Sequence, residues 1–520
     1  MQASSSSPEK NYAPFILLFV ALKLLLNMLA AGHYGFHRDE LLHLTLGNHL
    51  DWGYMEVPPL IALLAKISTA VFGDAVFAAR VFPAIASALM VWFTGLLTVE
   101  FGGRRFAIAV ACLCMIFSPG MVASGYLFQP VVFDQFFWLM AAYLTVKYVN
   151  TNKPQYMYGL GAAMGFGLLN KYTMGFYAGA LILGVLISPQ RRVLFRKEVL
   201  IAVAITTLVF LPNVLWQYIH HWPIAKHMGE LKTQQLDYIN PMDFVMQQFM
   251  LHGVSAVVWL VGLGFLLFHH SLKTYRFVGF AYLLVYAFLL LMKGKAYYLL
   301  AGYPMLFAAG GFSIAYMIKN YIGRSVTAFA VIAPNLLLLP VVLPIFTINQ
   351  TLSFFEYYHQ HLPFMDFAIT WEDHKKHRTT QDYADMFAWD EMAAKTAKIY
   401  YSLTPEQQKR TVIFADSYGE AGALHVYRKR YNLPEVVCLN SSFALWAPAK
   451  LNADYIIYIS DDDDVSDLAP DVDSYKRMAG IENKLSREYA YGTAIYLLSG
   501  VKPSLEVKYE AHARESRLEE

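Results

Sequence analysis

The feature that most constrains this chain is its hydropathy pattern: long apolar runs follow one another through the first two thirds, divided by short polar connections. A helix needs about 20 mainly apolar residues to cross the hydrocarbon core of a bilayer. Runs of that kind lie near 12–32, 77–99, 106–123, 135–149, 156–170, 172–188, 199–219, 251–268, 277–292, 298–317 and 325–347. The pattern predicts a polytopic helical bundle of about eleven spans over residues 1–348. Charge divides the chain at the same point. Residues 1–348 hold 22 basic and 12 acidic side chains, net +10, whereas 349–520 hold 19 and 27, net −8; together they give the overall +2. The second part therefore has the composition of a soluble domain. Its apolar segments Thr411–Ala415, Val436–Leu439, Tyr455–Ile459 and Thr493–Leu498 predict strands, and the first is followed by Asp416-Ser417-Tyr418-Gly419-Glu420 and a helical pattern through Arg430. Strands alternating with helices predict a small α/β layer domain over 349–520.

Loop charge orients such a bundle. Thirteen basic residues (Lys10, Arg104, Arg105, Lys147, Lys153, Arg191, Arg192, Arg196, Lys197, Lys273, Arg276, Lys319 and Arg324) fall in connections on one side, with only Glu9, Glu100 and Glu198 beside them. The opposite connections collect nine acids. The basic side is expected to be cytoplasmic, with the N-terminus, and the acidic loops and tail to be extracytoplasmic. The polar segment Met1–Lys10 is followed by an apolar run without a small-residue cleavage site, which reads as a first span. Two outward loops are long. Residues 33–76 contain Pro58-Pro59 and an apolar stretch from Leu60 to Val71, too short to span and expected to lie in the interface. In residues 220–250, Pro223 and Pro241 are each suited to begin a helix. Basic residues form no continuous stripe, which argues against nucleic acid. Three cysteines, Cys112, Cys114 and Cys438, supply no disulfide framework and no cysteine zinc site.

Chemistry-bearing residues gather on the acidic side. Arg38-Asp39-Glu40 follows the first run directly, and adjacent carboxylates beside an apolar surface are costly unless paired or used. An ionised carboxylate in a half-dry cleft is a competent base toward a hydroxyl; an ion-paired helix cap explains the position equally well. Glu56 precedes Val57-Pro58-Pro59 on a rigid extended segment, and Asp134 stands near the start of the fourth run, after Gln129-Pro130. Lys293-Gly294-Lys295-Ala296-Tyr297-Tyr298 forms a short hairpin whose ammonium and hydroxyl groups suit a phosphate, although an aromatic and basic anchoring belt has the same composition. Lys171 is placed similarly between two runs. His37-x-x-Glu40 is a weak metal pattern without diagnostic spacing. Lys23 in the first run has no assigned role. In the tail, Asp416 reads as a helix N-cap after a strand, and Asp461–Asp464 as a solvated loop without the glycine and terminal glutamate of an EF-hand.

The segment Phe36-His37-Arg38-Asp39-Glu40-Leu41-Leu42-His43-Leu44, followed by Leu50-Asp51-Trp52-Gly53-Tyr54 and Pro58-Pro59-Leu60, resembles bacterial family 39 glycosyltransferases. These are members of the C-type superfamily that includes protein O-mannosyltransferases and lipid A aminoarabinose transferases. Gln129-Pro130 to Trp138, Gly167 to Tyr172, Trp222-Pro223, Gly294 to Leu299 and Tyr303-Pro304 extend the resemblance over most of 30–305. It implies a mainly α membrane bundle of the C-type kind that moves a sugar from a polyprenyl phosphate to an acceptor hydroxyl on an envelope lipid, glycan or protein, at the outer face of the inner membrane. It implies catalytic roles for Asp39 and Glu40, acceptor or sugar contacts at Glu56 and Asp134, and donor-phosphate contacts at Arg38, Lys171, Lys295, Tyr297 and Tyr298. No cofactor is assigned; a divalent cation is compatible, with Glu56 and His37 as weak ligand candidates. Where some relatives carry Glu-Lys-Pro, this chain has Glu56-Val57-Pro58 and lacks the lysine. Competing classes are a lipid-linked glycan ligase or polymerase and, less favoured, a transporter or flippase; the latter predicts internal repeats and mid-membrane charge, and no repeat is visible.

Overall fold

The computed structural model describes residues 11–462 and 465–518. Met1–Lys10, and Asp463 and Asp464 of the acidic run, lie outside the described residues; Asp461 and Asp462 are exposed, and the run read as the first span is the helix Ala13–Ala31. The chain is a polytopic membrane protein with a mixed α/β sheet in its tail. Each of the eleven apolar runs coincides with helix, but the count of spans is lower than expected. By length and composition six helices suffice to cross a bilayer, or seven if a bent pair is one span. Three of the other five fall short for identifiable reasons. Arg105–Phe117 and Thr173–Leu186 are only 13 and 14 residues long, about 20 Å at 1.5 Å per residue. Pro119 begins a separate short helix just after the first of them. The run near 251–268 joins Pro241–Met250 across a bend of 100°. Leu60–Phe72 is a short apolar helix of 13 residues, and Pro223 and Pro241 do begin helices.

Lys23 is buried in the first helix, and its ammonium lies 3.4 Å from the Met121 carbonyl; Asn27 one turn on donates to Gly125 O at 2.8 Å. Lys23 thus serves a carbonyl in the helix Pro119–Ala123, and Asn27 one just beyond its end.

In the tail, strands β1 (Thr411–Ala415), β2 (Val436–Val437), β3 (Tyr455–Ser460), β4 (Ser474–Gly480) and β5 (Ala494–Ser499) form one sheet of order β2-β1-β3-β5-β4. β1 pairs in parallel with β2 and β3, and β5 runs antiparallel to β3 and β4. β4 has no counterpart among the predicted strands, because its residues are mostly exposed at a sheet edge and carry no apolar alternation. The helix after β1, Tyr418–Tyr431, is capped by Ser417, not Asp416: Ser417 Oγ accepts from Glu420 N, and Glu420 accepts from Ser417 N at 3.1 Å. Asp416 instead accepts the Tyr458 hydroxyl at 2.5 Å.

The tail is welded to the bundle. One apolar cluster includes Leu41, Leu44, Ala421, Ala423, Ile413 and Ile457. The helix Tyr418–Tyr431 lies against the helix Arg38–Leu46 at a spacing only glycine permits. A Cβ on Gly422 would sit 2.9 Å from the Leu41 Cβ and 3.0 Å from its backbone, and one on Gly419 would sit 2.6 Å from Arg38 Nε.

Candidate active site

The helix Arg38–Leu46 opens the site. His37 is its N-cap, accepting from Asp39 N at 3.2 Å, while Glu40 reaches back to accept from His37 N at 2.9 Å. Glu40 has more partners. Arg80 donates to its two oxygens through Nε at 3.1 Å and Nη2 at 3.0 Å, and Phe128 N donates at 2.9 Å. Burial pushes this carboxyl up, but Arg80 and the two backbone N–H groups outweigh it and hold Glu40 below its ordinary range. With both oxygens saturated, Glu40 has no lone pair aimed at a substrate. The expected catalytic pair divides into one carboxylate that fixes the backbone and one that remains in reach.

Asp39 is that second carboxylate. Its Oδ1 accepts the Tyr418 hydroxyl at 2.9 Å and its Oδ2 accepts Gln129 Nε2 at 2.9 Å. Burial raises its pKa; His37, His43, the Tyr418 bond and Arg38 lower it by more, so Asp39 stays ionised below the usual carboxylate range. His43 is fixed by a 3.1 Å contact from Nδ1 to Phe128 O.

From Asp39 a continuous chain of contacts runs to the hairpin. Gln129 precedes Pro130, whose carbonyl accepts from Asn170 at 3.0 Å. Lys171 follows, its ammonium 4.8 Å from the Tyr298 ring centroid and 5.5 Å from that of Tyr297. Burial lowers the Lys171 pKa, Asp134 opposes that and Lys295 adds to it. Asp134 accepts Thr173 Oγ1 at 2.7 Å through Oδ2, while its Oδ1 is buried without a hydrogen-bond partner. Lys295 is likewise lowered by burial, and the carboxylates that oppose this are Glu372 and Asp39. Asp39, Asp134, Lys171, Lys295, Tyr297 and Tyr298 are thus joined by charge coupling and ring contacts: Asp39 acts on Lys295 and Tyr297, Lys295 and Asp134 on Lys171, and Lys171 lies over both tyrosine rings.

Two expected contacts are arranged differently. Arg38 faces the tail: its guanidinium lies 4.5 Å over the Tyr418 ring, and Glu488, Asp385 and Asp39 act on it. Its Nε is buried without a hydrogen-bond partner because Gly419 packs against it. Glu56 also meets the tail, accepting Ser442 Oγ at 2.7 Å, and Ser442 in turn accepts Met55 N at 3.0 Å. Its Oε1 is buried without a partner, and burial pushes this carboxyl up to about 7. The weak metal candidates do not converge. His37 is committed as a cap, with Nε2 3.9 Å from Asp385, and the group of three His, Cys, Asp or Glu donors close enough to enclose an ion, among the described residues, contains neither His37 nor Glu56. Sequence reasoning missed Tyr418, Ser442, Arg80 and Glu372. The first two stand about 380 residues from their partners, and no local pattern signals such a contact.

Comparison with known proteins adds to this geometry. Residues 56–216 match the family model described as dolichyl-phosphate-mannose-protein mannosyltransferase. The matched stretch carries Glu56, Asp134 and Lys171 and stops short of Asp39 and Lys295. Lipid A galacturonosyltransferase RgtD of Rhizobium johnstonii is 28% identical over 240 residues, 44% of this chain and 49% of that protein. Undecaprenyl phosphate-alpha-4-amino-4-deoxy-L-arabinose arabinosyl transferase 1 of Pseudomonas fluorescens is 30% identical over 238 residues, 41% of this chain and 40% of that protein. The chain therefore spans about half or less of the curated relatives it matches. Its fold is that of ArnT from Cupriavidus metallidurans, solved bound to undecaprenyl phosphate, with a TM-score of 0.60 at 13% identity over 93% of this chain and 98% of that one. Archaeal oligosaccharyltransferase AglB from Archaeoglobus fulgidus aligns with a TM-score of 0.50 at 13% identity, over 87% of this chain and 70% of that one.

Proposed function

We propose that the chain is a membrane glycosyltransferase that moves a sugar from a polyprenyl phosphate to a hydroxyl of a lipid A-type acceptor, with inversion. In this reading residues 1–348 form the transferase domain, and 349–520, with the loops 33–76 and 220–250, face the outside of the inner membrane. The observation that carries it is Asp39: an ionised carboxylate, oriented by Tyr418 and Gln129, that is electrostatically coupled to Lys295 of the tyrosine hairpin. The named activities of the two curated relatives and the undecaprenyl phosphate bound to ArnT support the donor and acceptor classes.

The donor's phosphate meets Lys295, Lys171 and the hydroxyls of Tyr297 and Tyr298. As the bond between sugar carbon and phosphate oxygen lengthens, negative charge grows on the phosphate and positive character on the sugar. The two ammonium groups stabilise the first and the carboxylates of Asp39 and Asp134 the second. Asp39 accepts the proton of the acceptor hydroxyl while its oxygen bonds to the sugar carbon, and polyprenyl phosphate departs. A depressed pKa suits this timing, because the hydroxyl becomes acidic only once its oxygen begins to bond to a cation-like sugar. Glu40 and Arg80 hold the helix turn that presents Asp39. Glu56 sits beside Ser442 as an acceptor-side contact. Arg38 belongs to the tail contact and acts on Asp39 through its field.

The test is transfer of a radiolabelled sugar from polyprenyl phosphate to lipid A by the purified protein in liposomes. Asp39→Asn, with normal expression and monodispersity, should lower the rate by about 10²–10⁴-fold, the range for loss of a positioned base. Undiminished transfer by that variant removes Asp39 from the role.

A further inference from the structure

A second cluster of donor side chains lies where the end of the helix Arg38–Leu46 meets the tail, and nothing in the transfer reaction uses it. His49, His425 and Glu435 each present one donor atom, and the three atoms lie within 4.8 Å of one another. They come from three separate places: the turn after Leu46, the helix Tyr418–Tyr431, and the connection leading into β2. His49 Nε2 is 3.9 Å from Glu435 Oε1, and the two imidazole centroids are 5.8 Å apart.

The surroundings are those of prepared ligands. His49 Nε2 is buried and makes no hydrogen bond. Its ring is held by a parallel stack on Trp446, at 4.1 Å between centroids and 3° between planes. The second carboxylate oxygen of Glu435 lies 3.7 Å from Arg428 Nη1, which leaves Oε1 turned to the histidines. The Asn48 amide stands 3.0 Å from His425 Nε2. Lys429, the other nearby cation, is 3.7 Å from Asp74. Burial lowers both imidazoles, and His49, Arg428 and Lys429 lower His425 further. A cavity of about 590 Å³ opens onto the cluster.

We infer that His49, His425 and Glu435 form a transition-metal site, with zinc as the preferred ion, that clamps the first outward loop to the tail. Two neutral imidazoles and one carboxylate form a familiar three-ligand zinc set, with water as the fourth ligand. Bond lengths of about 2.0–2.2 Å bring tetrahedral ligands to roughly 3.3 Å apart, so the donors close by about 1 Å on binding. The half-exposed Glu435 side chain allows that movement. This inference is independent of the proposed reaction.

The experiment uses the full-length protein in detergent, stripped with chelator, loaded with zinc sulfate, dialysed and assayed for bound metal by mass spectrometry. One zinc per wild-type chain is expected, along with the visible absorption of four-coordinate cobalt when Co²⁺ replaces it. Glu435→Gln, an exposed and conservative change, and His425→Ala should each weaken zinc binding by at least about tenfold, the smallest cost seen even for supporting groups around a metal. Chelation should lower the Tm of the wild type and leave that of Glu435→Gln unchanged. Failure of the wild type to retain zinc, or equal retention by the wild type and both variants, overturns the assignment and leaves an ordinary contact between histidines and a glutamate.

Discussion

At the residue scale, the candidate site depends on what holds each carboxylate. Asp39 stays ionised because neighbours outweigh burial, and one of them, Tyr418, is a single hydroxyl on the tail. A hydrogen bond to a charged group is worth about 1.5–3 kcal/mol, and one pKa unit corresponds to about 1.4 kcal/mol. Tyr418→Phe should therefore raise the Asp39 pKa by roughly one to two units. The active form is the carboxylate, so activity is lost as pH falls through that pKa, and the acidic limb of kcat/KM should move to higher pH by the same amount. A limb that stays in place would deny the Tyr418 contact any part in tuning the base. Glu56 is the opposite case, raised by burial to about 7. Its folded form keeps a proton that the unfolded chain releases near 4.5, so its contribution to stability is complete below that pH and disappears as pH rises through 7. The apparent Tm of the wild type should fall between pH 5 and pH 8, and Glu56→Gln should flatten that fall; parallel profiles would rule Glu56 out as its source.

At the scale of elements, the site is built by the approach of one tail helix to one membrane-side helix. Gly422 sets the distance, since any Cβ there meets Leu41 side chain and backbone together. Backbone cannot rotate aside, so Gly422→Val should push the helix Tyr418–Tyr431 outward and carry the Tyr418 phenol off Asp39 without touching a single site residue. A displacement near 1 Å costs on the order of 10²-fold in rate, and the transfer assay on protein of normal membrane yield measures it; wild-type rates would show that the two helices need not touch. The same contact explains what was legible beforehand. Asp39, Glu56, Asp134, Lys171 and Lys295 stood out because a charge at the end of an apolar run is conspicuous in one dimension. Ser442 and Tyr418 are ordinary residues of a polar tail, and only folding brings them to Glu56 and Asp39. Strands β1, β2, β3 and β5 announced themselves by buried β-branched residues, whereas β4 had only its pairing with β5 to define it. The excess in the expected number of spans has a related cause: composition marks an apolar helix but not the proline or turn that shortens it.

At the scale of the molecule, the question is whether the two charged faces lie across a membrane from each other, and one helix answers it. Val76–Glu100 carries Arg80 near its start, bound to Glu40, and Glu100 at its end, paired with Lys147 at 2.8 Å. Twenty residues of helix separate those ion pairs, about 30 Å at 1.5 Å per residue, which is the hydrocarbon thickness of a bilayer. Arg104, Arg105, Lys319 and Arg324 line a cavity of about 900 Å³ that begins within a few residues of the Glu100 end. Glu40 and Asp39 beside it therefore lie at the end of this helix opposite the basic cluster, and in the proposed orientation the basic end is cytoplasmic. The native cysteines are all buried, so single introduced cysteines report cleanly. In intact cells a membrane-impermeant maleimide should label Lys429→Cys on the tail and Lys293→Cys on the hairpin, and reach Lys319→Cys only after the inner membrane is opened. Labelling of Lys319→Cys in intact cells would invert the protein, and a donor presented at the outer leaflet would then have no access to Asp39.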